Sequence, residues 1–127
     1  MTTAIVVDDE KDVLDVFCEY LSVKDINVLA TGNNGLDAVN LYKRFKPDVV
    51  LMDLIMPQYN GFYGLEKIRQ YDPNSKVIIF SASLTPEYIK ILREMKASAI
   101  TQKPYDMDLV IKLIGKIING KAIDLTL

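Results

Sequence analysis

The chain has 127 residues, a net charge of −2, no histidine and one cysteine, Cys18, which fits a single domain that needs no metal or disulfide to fold. These counts exclude histidine catalysis, histidine metal ligation and an intrachain disulfide, and the well-mixed charges give no basic surface for nucleic acid. No apolar run reaches membrane-spanning length and the first residues lack the basic region of a signal peptide, so we expect a cytoplasmic protein with no membrane segment.

Five short runs rich in β-branched residues predict β-strands. In chain order they are Ala4 to Val7, Val28 to Thr31, Val49 to Met52, Val77 to Ser81 and Ala99 to Gln102. The first, third and fourth runs are continuously apolar, which is typical of strands that are covered on both faces of a parallel sheet.

Apolar residues at helical spacing predict helices between and after these strands. The residues expected to face inward are Val13, Val16, Phe17, Tyr20 and Leu21; Ala38, Leu41, Tyr42 and Phe45; Leu65 and Ile68; Tyr88, Ile91, Leu92 and Met95; and Val110, Leu113, Ile114, Ile117 and Ile118. Thr85 before Pro86 predicts the start of the fourth helix, and Asp106 and Gly120 predict the two ends of the last one.

This alternation of strands and helices predicts an α/β fold, with a parallel sheet and helices on both of its faces. We expect one domain over residues 1–120, followed by a tail over residues 121–127. The alternating Ile123, Leu125 and Leu127 leave open that the tail pairs as an edge strand, although a partly ordered tail is the simpler expectation.

Polar residues collect where the predicted strands end, and in a parallel sheet this edge is where binding sites form. Asp8 and Asp9 follow the first strand, Asp53 follows the third, Ser81 ends the fourth and Lys103 follows the fifth. Neighbouring carboxylates repel one another, and a hard cation such as Mg²⁺ relieves that repulsion. A carboxylate in an apolar setting, as Asp53 is, can act as a nucleophile that forms an acyl phosphate.

Simpler interpretations of the same residues stay open at this point. Asp8 and Asp9 can cap the first helix, although capping explains one acid better than two adjacent ones. Asp53 can be a solvated turn residue, although a charge at the end of an apolar strand is costly without a partner. Lys103 can be an ordinary surface lysine, and Ser81 alone is an ordinary hydroxyl.

Five separated segments together resemble the receiver domain of two-component response regulators. They are Val6 to Glu10, Pro47 to Pro57, Asn60-Gly61, Ser81-Ala82 and Lys103 to Tyr105. Their order and spacing carry the resemblance, which extends from about Ala4 to Ile118. It implies a flavodoxin-like (βα)5 fold, a three-layer sandwich whose parallel sheet has the strand order 2-1-3-4-5. We expect a stand-alone receiver of the chemotaxis-regulator type, without a DNA-binding domain and either monomeric or weakly dimeric.

The resemblance also implies a set of functional residues. They are the phosphoacceptor Asp53; the Mg²⁺ ligands Asp9, Asp53 and the backbone carbonyl of Ile55, with Asp8 acting through water; and the phosphoryl contacts Ser81, Lys103 and the backbone N–H of Ala82. The expected donor is a phosphohistidine of a histidine kinase or phosphotransfer protein. Phosphorylation is expected to switch binding to an unidentified protein target through helix 4, strand 5 and helix 5. Apart from accepting and losing its own phosphoryl group, the domain is not expected to be an enzyme.

Two positions depart from the family pattern. Most receivers have an aromatic residue three positions before the lysine, where this chain has Ile100, so aromatic rotation cannot report activation there. Lys96 stands where the family usually has glycine, and a left-handed backbone at a non-glycine residue costs about 1 kcal/mol. We hypothesise that Ile89, Ile111 and Ile100 form an exposed patch for a partner or a second copy, with a broad buried face as the alternative.

Three other functions are compared with this one. A degenerate receiver, which binds partners without phosphorylation, is disfavoured because the acids, the hydroxyl and the lysine are all present, but Ile100 and Lys96 keep it open. A flavin carrier requires a loop rich in hydroxyls and glycine after the first strand, where the acidic run from Asp8 stands. A phosphatase of the haloacid dehalogenase type requires a second aspartate two residues after Asp53, where Ile55 stands.

Overall fold

Five strands and five helices alternate along the chain in the computed structural model, which describes residues 1–103 and 106–120. The strands are β1 (Thr2–Val7), β2 (Ile26–Gly32), β3 (Val49–Asp53), β4 (Val77–Ser81) and β5 (Ala99–Gln102). The helices are α1 (Lys11–Val23), α2 (Gly35–Phe45), α3 (Gly61–Tyr71), α4 (Pro86–Glu94) and α5 (Met107–Ile118). All five predicted strands are confirmed, and β4 and β5 have the predicted bounds.

The strands form one parallel sheet in the order β2-β1-β3-β4-β5. The continuous apolar runs of β1, β3 and β4 lie inside this order, where helices cover both faces, and β3 and β4 are buried along their whole length. The flavodoxin-like fold and the strand order implied by the resemblance are therefore confirmed.

Two apolar clusters, one on each face of the sheet, form the core of the described residues. The first packs α1 and α5 against the sheet through side chains that include Leu14, Phe80 and Leu113. The second packs α2, α3 and α4 through side chains that include Tyr42 and Leu92. Because burying one large apolar side chain contributes roughly 1.5–3 kcal/mol, these two layers supply most of the driving force that holds the helices on the sheet.

The predicted helix ends are confirmed by their capping bonds. The hydroxyl of Thr85 accepts a backbone N–H at 3.1 Å at the start of α4, and the carboxylate of Asp106 accepts one at 2.9 Å at the start of α5. Gly120 has a φ of 76° just beyond the end of α5. After α4, Lys96 has a φ of 60°, so this lysine does adopt the left-handed conformation that favours glycine.

The inward faces of α1 and α4 differ from those predicted. The buried residues of α1 are Leu14, Phe17 and Leu21, whereas Val16, which was predicted to face inward, is 68% exposed. In α4 the predicted Leu92 is buried, but Ile91 is 42% exposed. Each helix carries apolar residues on adjacent faces, so the sequence alone supported two orientations. The predicted inward residues of α3 and α5 are buried or half-buried.

Some predicted features lie outside the described residues. These are Pro104 and Tyr105, which belong to the last segment of the resemblance, and the tail over residues 121–127. The division into a domain over residues 1–120 and a tail therefore stays a prediction. Within the part of the chain that is described, no helix combines the length and the apolar character needed to cross a membrane.

Candidate functional site

The carboxyl ends of four strands bring the predicted polar residues to one edge of the sheet. Asp8 directly follows β1, Asp53 ends β3, Ser81 ends β4 and Lys103 directly follows β5. These strands are neighbours in the sheet and all run parallel, so their last residues lie side by side. The convergence expected from the sequence is therefore present in the fold.

Lys103 bridges two buried carboxylates at this edge. Its Nζ lies 2.8 Å from Oδ2 of Asp8 and 3.3 Å from Oδ2 of Asp53. Asp8 is 1% exposed and Asp53 is 6% exposed, while the lysine side chain is 15% exposed. The interpretations of Asp53 as a solvated turn acid and of Lys103 as a surface lysine are therefore wrong. One ammonium balances only one of two carboxylates, so the trio carries an excess negative charge when both acids are ionised.

Burial and pairing shift the acid–base properties of this trio. Burial raises the pKa of Asp53, and the nearby charge of Asp8 adds to that effect, while Lys103 and the backbone N–H of Leu54, which donates to Oδ1 of Asp53 at 2.8 Å, oppose it. Burial acts to lower the pKa of Lys103, but its bond to Asp8 and the charge of Asp53 outweigh burial and raise it. Lys103 is therefore a fixed positive charge at neutral pH.

A group of three carboxylates lies in the turn that follows β1. One ligand oxygen from each of Asp8, Asp9 and Glu10 lies within 4.8 Å of the others. The backbone N–H of Glu10 donates to Oδ1 of Asp8 at 3.0 Å, which folds the turn, and Glu10 itself occupies the N-cap of α1 without a side-chain capping bond. The interpretation of Asp8 and Asp9 as helix caps is therefore wrong. The set of oxygen donors is the kind that Mg²⁺ prefers.

Glu10 is a member of this acidic group that the sequence prediction did not include. The predicted metal set instead contained Asp53 and the carbonyl of Ile55 beside Asp8 and Asp9. In the structure Asp53 is joined to Asp8 through the Lys103 bridge. The only signal for Glu10 in the sequence is its position directly after two aspartates.

The loop after Asp53 is held close against the acceptor strand. The backbone N–H of Gly61 donates to the carbonyl of Leu54 at 2.7 Å, and a Cβ at Gly61 would lie 2.6 Å from the carbonyl oxygen of Asp53. Asn60 caps α3 with its side chain. The Asn60-Gly61 pair therefore allows α3 to begin directly against β3. The side chain of Ile55, in the same loop, is 49% exposed.

Ser81 is buried at the end of β4 and connects to both neighbouring segments. Its Oγ accepts the backbone N–H of Ser83 at 3.0 Å, and its carbonyl accepts the backbone N–H of Lys103 at 2.9 Å. Ala82, between the two serines, is exposed. The hydroxyl proton of Ser81 is not used in the bond to Ser83, so it can be donated to an oxygen placed at this edge.

The three isoleucines of the hypothesised exposed patch do not form one. Ile100 is 4% exposed, and Ile89 is half-buried against the same cluster on the α2, α3 and α4 face. Ile111 is half-buried against the opposite cluster, on the α1 and α5 face. The patch hypothesis is therefore wrong in its geometry, and the alternative of a broad buried face describes these residues.

Comparisons with known proteins place the chain in a family. It belongs to the response regulator receiver domain family, whose profile matches residues 4–115. The chain is similar to the chemotaxis protein CheY of Thermotoga maritima, at 30% identity over 115 residues that cover 89% of this chain and 94% of that protein. It is 34% identical to CheY of Treponema pallidum over 117 residues, which cover 91% of this chain and 81% of that protein.

A solved structure gives the same assignment. The crystal structure of a CheX–CheY–BeF3–Mg²⁺ complex from Borrelia burgdorferi contains a chain that matches with a TM-score of 0.86 at 25% identity, covering 91% of this chain and 88% of that one. The resemblance seen in the sequence is thus confirmed. The chain is a CheY-like receiver domain, a signalling unit of two-component systems.

Proposed function

We propose that the chain accepts a phosphoryl group on Asp53, in the presence of Mg²⁺, from a phosphohistidine of a histidine kinase or phosphotransfer protein. The observation that carries the proposal is the buried Asp53 carboxylate, 3.3 Å from Lys103, at the edge that also holds the acidic turn. A carboxylate oxygen of Asp53 attacks phosphorus and forms an O–P bond. The N–P bond to the donor breaks, and the donor ring, protonated on its other nitrogen, leaves as neutral imidazole.

This reaction needs positioning and charge neutralisation more than covalent work by the protein. Lys103 exchanges a carboxylate oxygen for a phosphoryl oxygen, and the hydroxyl of Ser81 and the backbone N–H of Ala82 donate to the others. Asp9, Asp53 and the carbonyl of Ile55 would hold the metal directly, and Asp8 would hold it through water. When bound, Mg²⁺ would supply positive charge to the phosphoryl oxygens. It would also offset the excess negative charge that Asp8, Asp53 and Lys103 carry together.

An apolar groove beside this edge supports a docking site for the donor. The groove has a volume of about 370 Å³, and its lining comes from the first two turns of α1 and the first residue of α5: Asp12, Val13, Val16, Phe17 and Met107. Both helices begin at the edge of the sheet where Asp53 lies, because α1 directly follows the acidic turn and α5 begins four residues after Lys103. A donor helix seated there would bring its phosphohistidine towards the acceptor, and the 68% exposed Val16 is the side chain it would cover.

The donor surface has its own test. We expect Val16→Asp to slow transfer from a phosphorylated histidine kinase and to leave phosphorylation by acetyl phosphate unchanged. Val23→Asp is the matched control, because Val23 is 72% exposed at the other end of the same helix. Equal transfer rates in the two variants would contradict a donor site on this groove.

The switch begins at Ser81. When the Ser81 side chain rotates so that its Oγ moves towards a phosphoryl oxygen, the bond that Oγ accepts from the backbone N–H of Ser83 weakens, and the turn that leads to α4 is released. Ile89 on α4 and the buried Ile100 on β5 pack in one cluster, so movement of α4 repacks both. This repacking would alter the surface of α4 and β5, and a target protein would contact that surface together with α5, which carries Ile111 on the opposite cluster.

Intact-protein mass after incubation with acetyl phosphate and Mg²⁺ tests the central proposal. We expect one phosphoryl adduct that requires Mg²⁺, is absent from Asp53→Asn and is retained in Asp48→Asn. Asp48 is the matched control because it is exposed and precedes the same strand at its opposite end. An adduct that persists in Asp53→Asn refutes the assignment. No adduct, together with no NMR response to beryllofluoride, would instead support a phosphorylation-independent binding module.

A further inference from the structure

The ammonium of Lys103 has a third neighbour besides the two carboxylates. Its Nζ lies 5.5 Å from the centroid of the Phe80 ring. Phe80 is fully buried, and its ring stacks on that of Phe17 from α1, with the centroids 5.5 Å apart and the planes inclined by 21°. A lysine ammonium at this distance from an aromatic face is attracted by the negative face of the ring.

We propose that Phe80 is a positioning residue, whose ring holds the Lys103 ammonium at the place where it meets the phosphoryl group. The inference rests on the proposed phosphoacceptor function and adds a residue to it. Phe17 supports this arrangement from behind by stacking on the same ring.

The Phe80 ring attracts the Lys103 ammonium in a way that an aliphatic side chain cannot. An ammonium has three N–H donors, and Asp8 and Asp53 each accept from it. The side chain of Lys103 is only 15% exposed, so little water reaches the remaining side of the ammonium. A leucine in place of Phe80 would fill much of the volume, but it has no negative face. Cation–π attraction is also stronger where water is excluded.

A ring contact suits a lysine that must change partners. Hydrogen bonds to Asp8 and Asp53 fix the ammonium in the resting site, and one of them is exchanged for a phosphoryl oxygen during transfer. Attraction to a ring face depends weakly on the direction of each N–H, so the contact persists through that exchange. Phe80 is also well placed relative to the acceptor, because it pairs with Asp53 across the sheet and its carbonyl accepts the backbone N–H of Leu54 at 3.0 Å.

If Phe80 positions Lys103, replacing it should lower the affinity for beryllofluoride and not the affinity for Mg²⁺, whereas a general structural defect would lower both. Beryllofluoride mimics the phosphoryl group that Lys103 contacts, whereas Mg²⁺ alone binds to oxygen ligands that Phe80 does not supply. We expect Phe80→Leu to weaken beryllofluoride binding at saturating Mg²⁺ by about three- to tenfold. The affinity for Mg²⁺ alone should change by less than about twofold. Both are measured by NMR titration of the full chain.

Matched variants control for packing and folding. Ile78→Val alters the same face of the same strand, within the same cluster, and should change neither affinity. Phe80→Met, which replaces the ring with a flexible chain, should reproduce the loss if Phe80→Leu does not fold. Unchanged beryllofluoride affinity in the folded Phe80 variant, or an equal loss of both affinities, overturns the positioning role. A wild-type protein that binds Mg²⁺ but not beryllofluoride refutes the phosphoacceptor function itself, and the positioning role with it.

Discussion

Removing the charge of Lys103 should be the most destabilising single change at the site. Lys103→Met keeps a stem of similar length but leaves Asp8 and Asp53, which are 1% and 6% exposed, without their shared cation. At the separations of 2.8 and 3.3 Å, the gross attraction is about 5–6 kcal/mol per contact for an effective dielectric constant of about 20. Desolvation of the three charges offsets most of it, and removing one partner of a buried pair costs about 3–5 kcal/mol net.

We therefore expect the free energy of unfolding to fall by about 3–5 kcal/mol at neutral pH in metal-free buffer. Urea unfolding followed by circular dichroism measures it. Lys112→Met, at an exposed lysine of α5, is the control and should stay within about 0.5 kcal/mol of wild type. The deficit of Lys103→Met should shrink at mildly acidic pH, where the carboxyl of Asp53, whose pKa burial raises, takes up a proton. A variant as stable as wild type at neutral pH would refute the reasoning, because the buried acids would then not depend on the lysine.

Three further predictions concern stability. Because burial raises the pKa of Asp53, the folded state binds a proton on this carboxyl more tightly than the unfolded chain does. Proton binding at Asp53 therefore stabilises the fold below the pKa of Asp53 in the unfolded chain, and this stabilisation is lost as the pH rises through its pKa in the folded state. Asp53→Asn should therefore melt above wild type at neutral pH without metal and lose this advantage in acid; an advantage independent of pH would contradict this. Gly115→Ala should raise the free energy of unfolding in urea by about 0.5–1 kcal/mol, because a Cβ at this helical position meets nothing within 4 Å. Gly64→Ala should lower it by about 1–3 kcal/mol, because its Cβ would lie 2.6 Å from Sδ of Met52. The opposite order of stability would refute the packing argument. Lys96→Gly should raise stability by up to about 1 kcal/mol, since Lys96 has a φ of 60°, and a lower unfolding midpoint would show that the left-handed turn is not strained.

The central strands could be predicted because burial on both faces demands an apolar residue at nearly every position. β3 and β4 meet that demand, and their predicted bounds agree with the structure to within one residue. β2 lies at the edge of the sheet, and it begins two residues before its prediction. Ile26 and Asn27 pair with β1 through backbone bonds, which do not depend on the type of side chain.

The orientation of a helix could not be predicted where apolar residues lie on more than one of its faces. In α1, Leu14 and Val16 are both apolar, and Phe17 belongs to either possible face. Packing decides between them, because Leu14 joins the buried cluster that contains the stacked rings of Phe17 and Phe80, which leaves Val16 on the outer side of the helix. Sequence spacing holds no information about that partner.

For the site, the sequence predicted which residues meet but not how they pair. Asp8, Asp53 and Lys103 converge because neighbouring parallel strands end at one edge, which follows from the order of the strands. That Lys103 contacts both acids at once depends on distances of a few ångströms, which the sequence does not contain. Phe80 is an ordinary core residue in the sequence pattern, and its contact with the ammonium emerges only from the packed structure.

The order of the strands also determines when the charges of the site become available during synthesis of the chain. β1 and β3 are neighbours, so Asp8 and Asp53 can come together once the first half of the chain has left the ribosome. At that stage the pair lacks the Lys103 ammonium, and the two acids repel each other. β5 is an edge strand of four residues that adds few backbone bonds, but the lysine directly follows it. When β5 adds to the sheet, neutralisation of charge therefore joins apolar burial in stabilising it, and a nascent chain that stops short of Lys103 lacks the cation that contacts both acids.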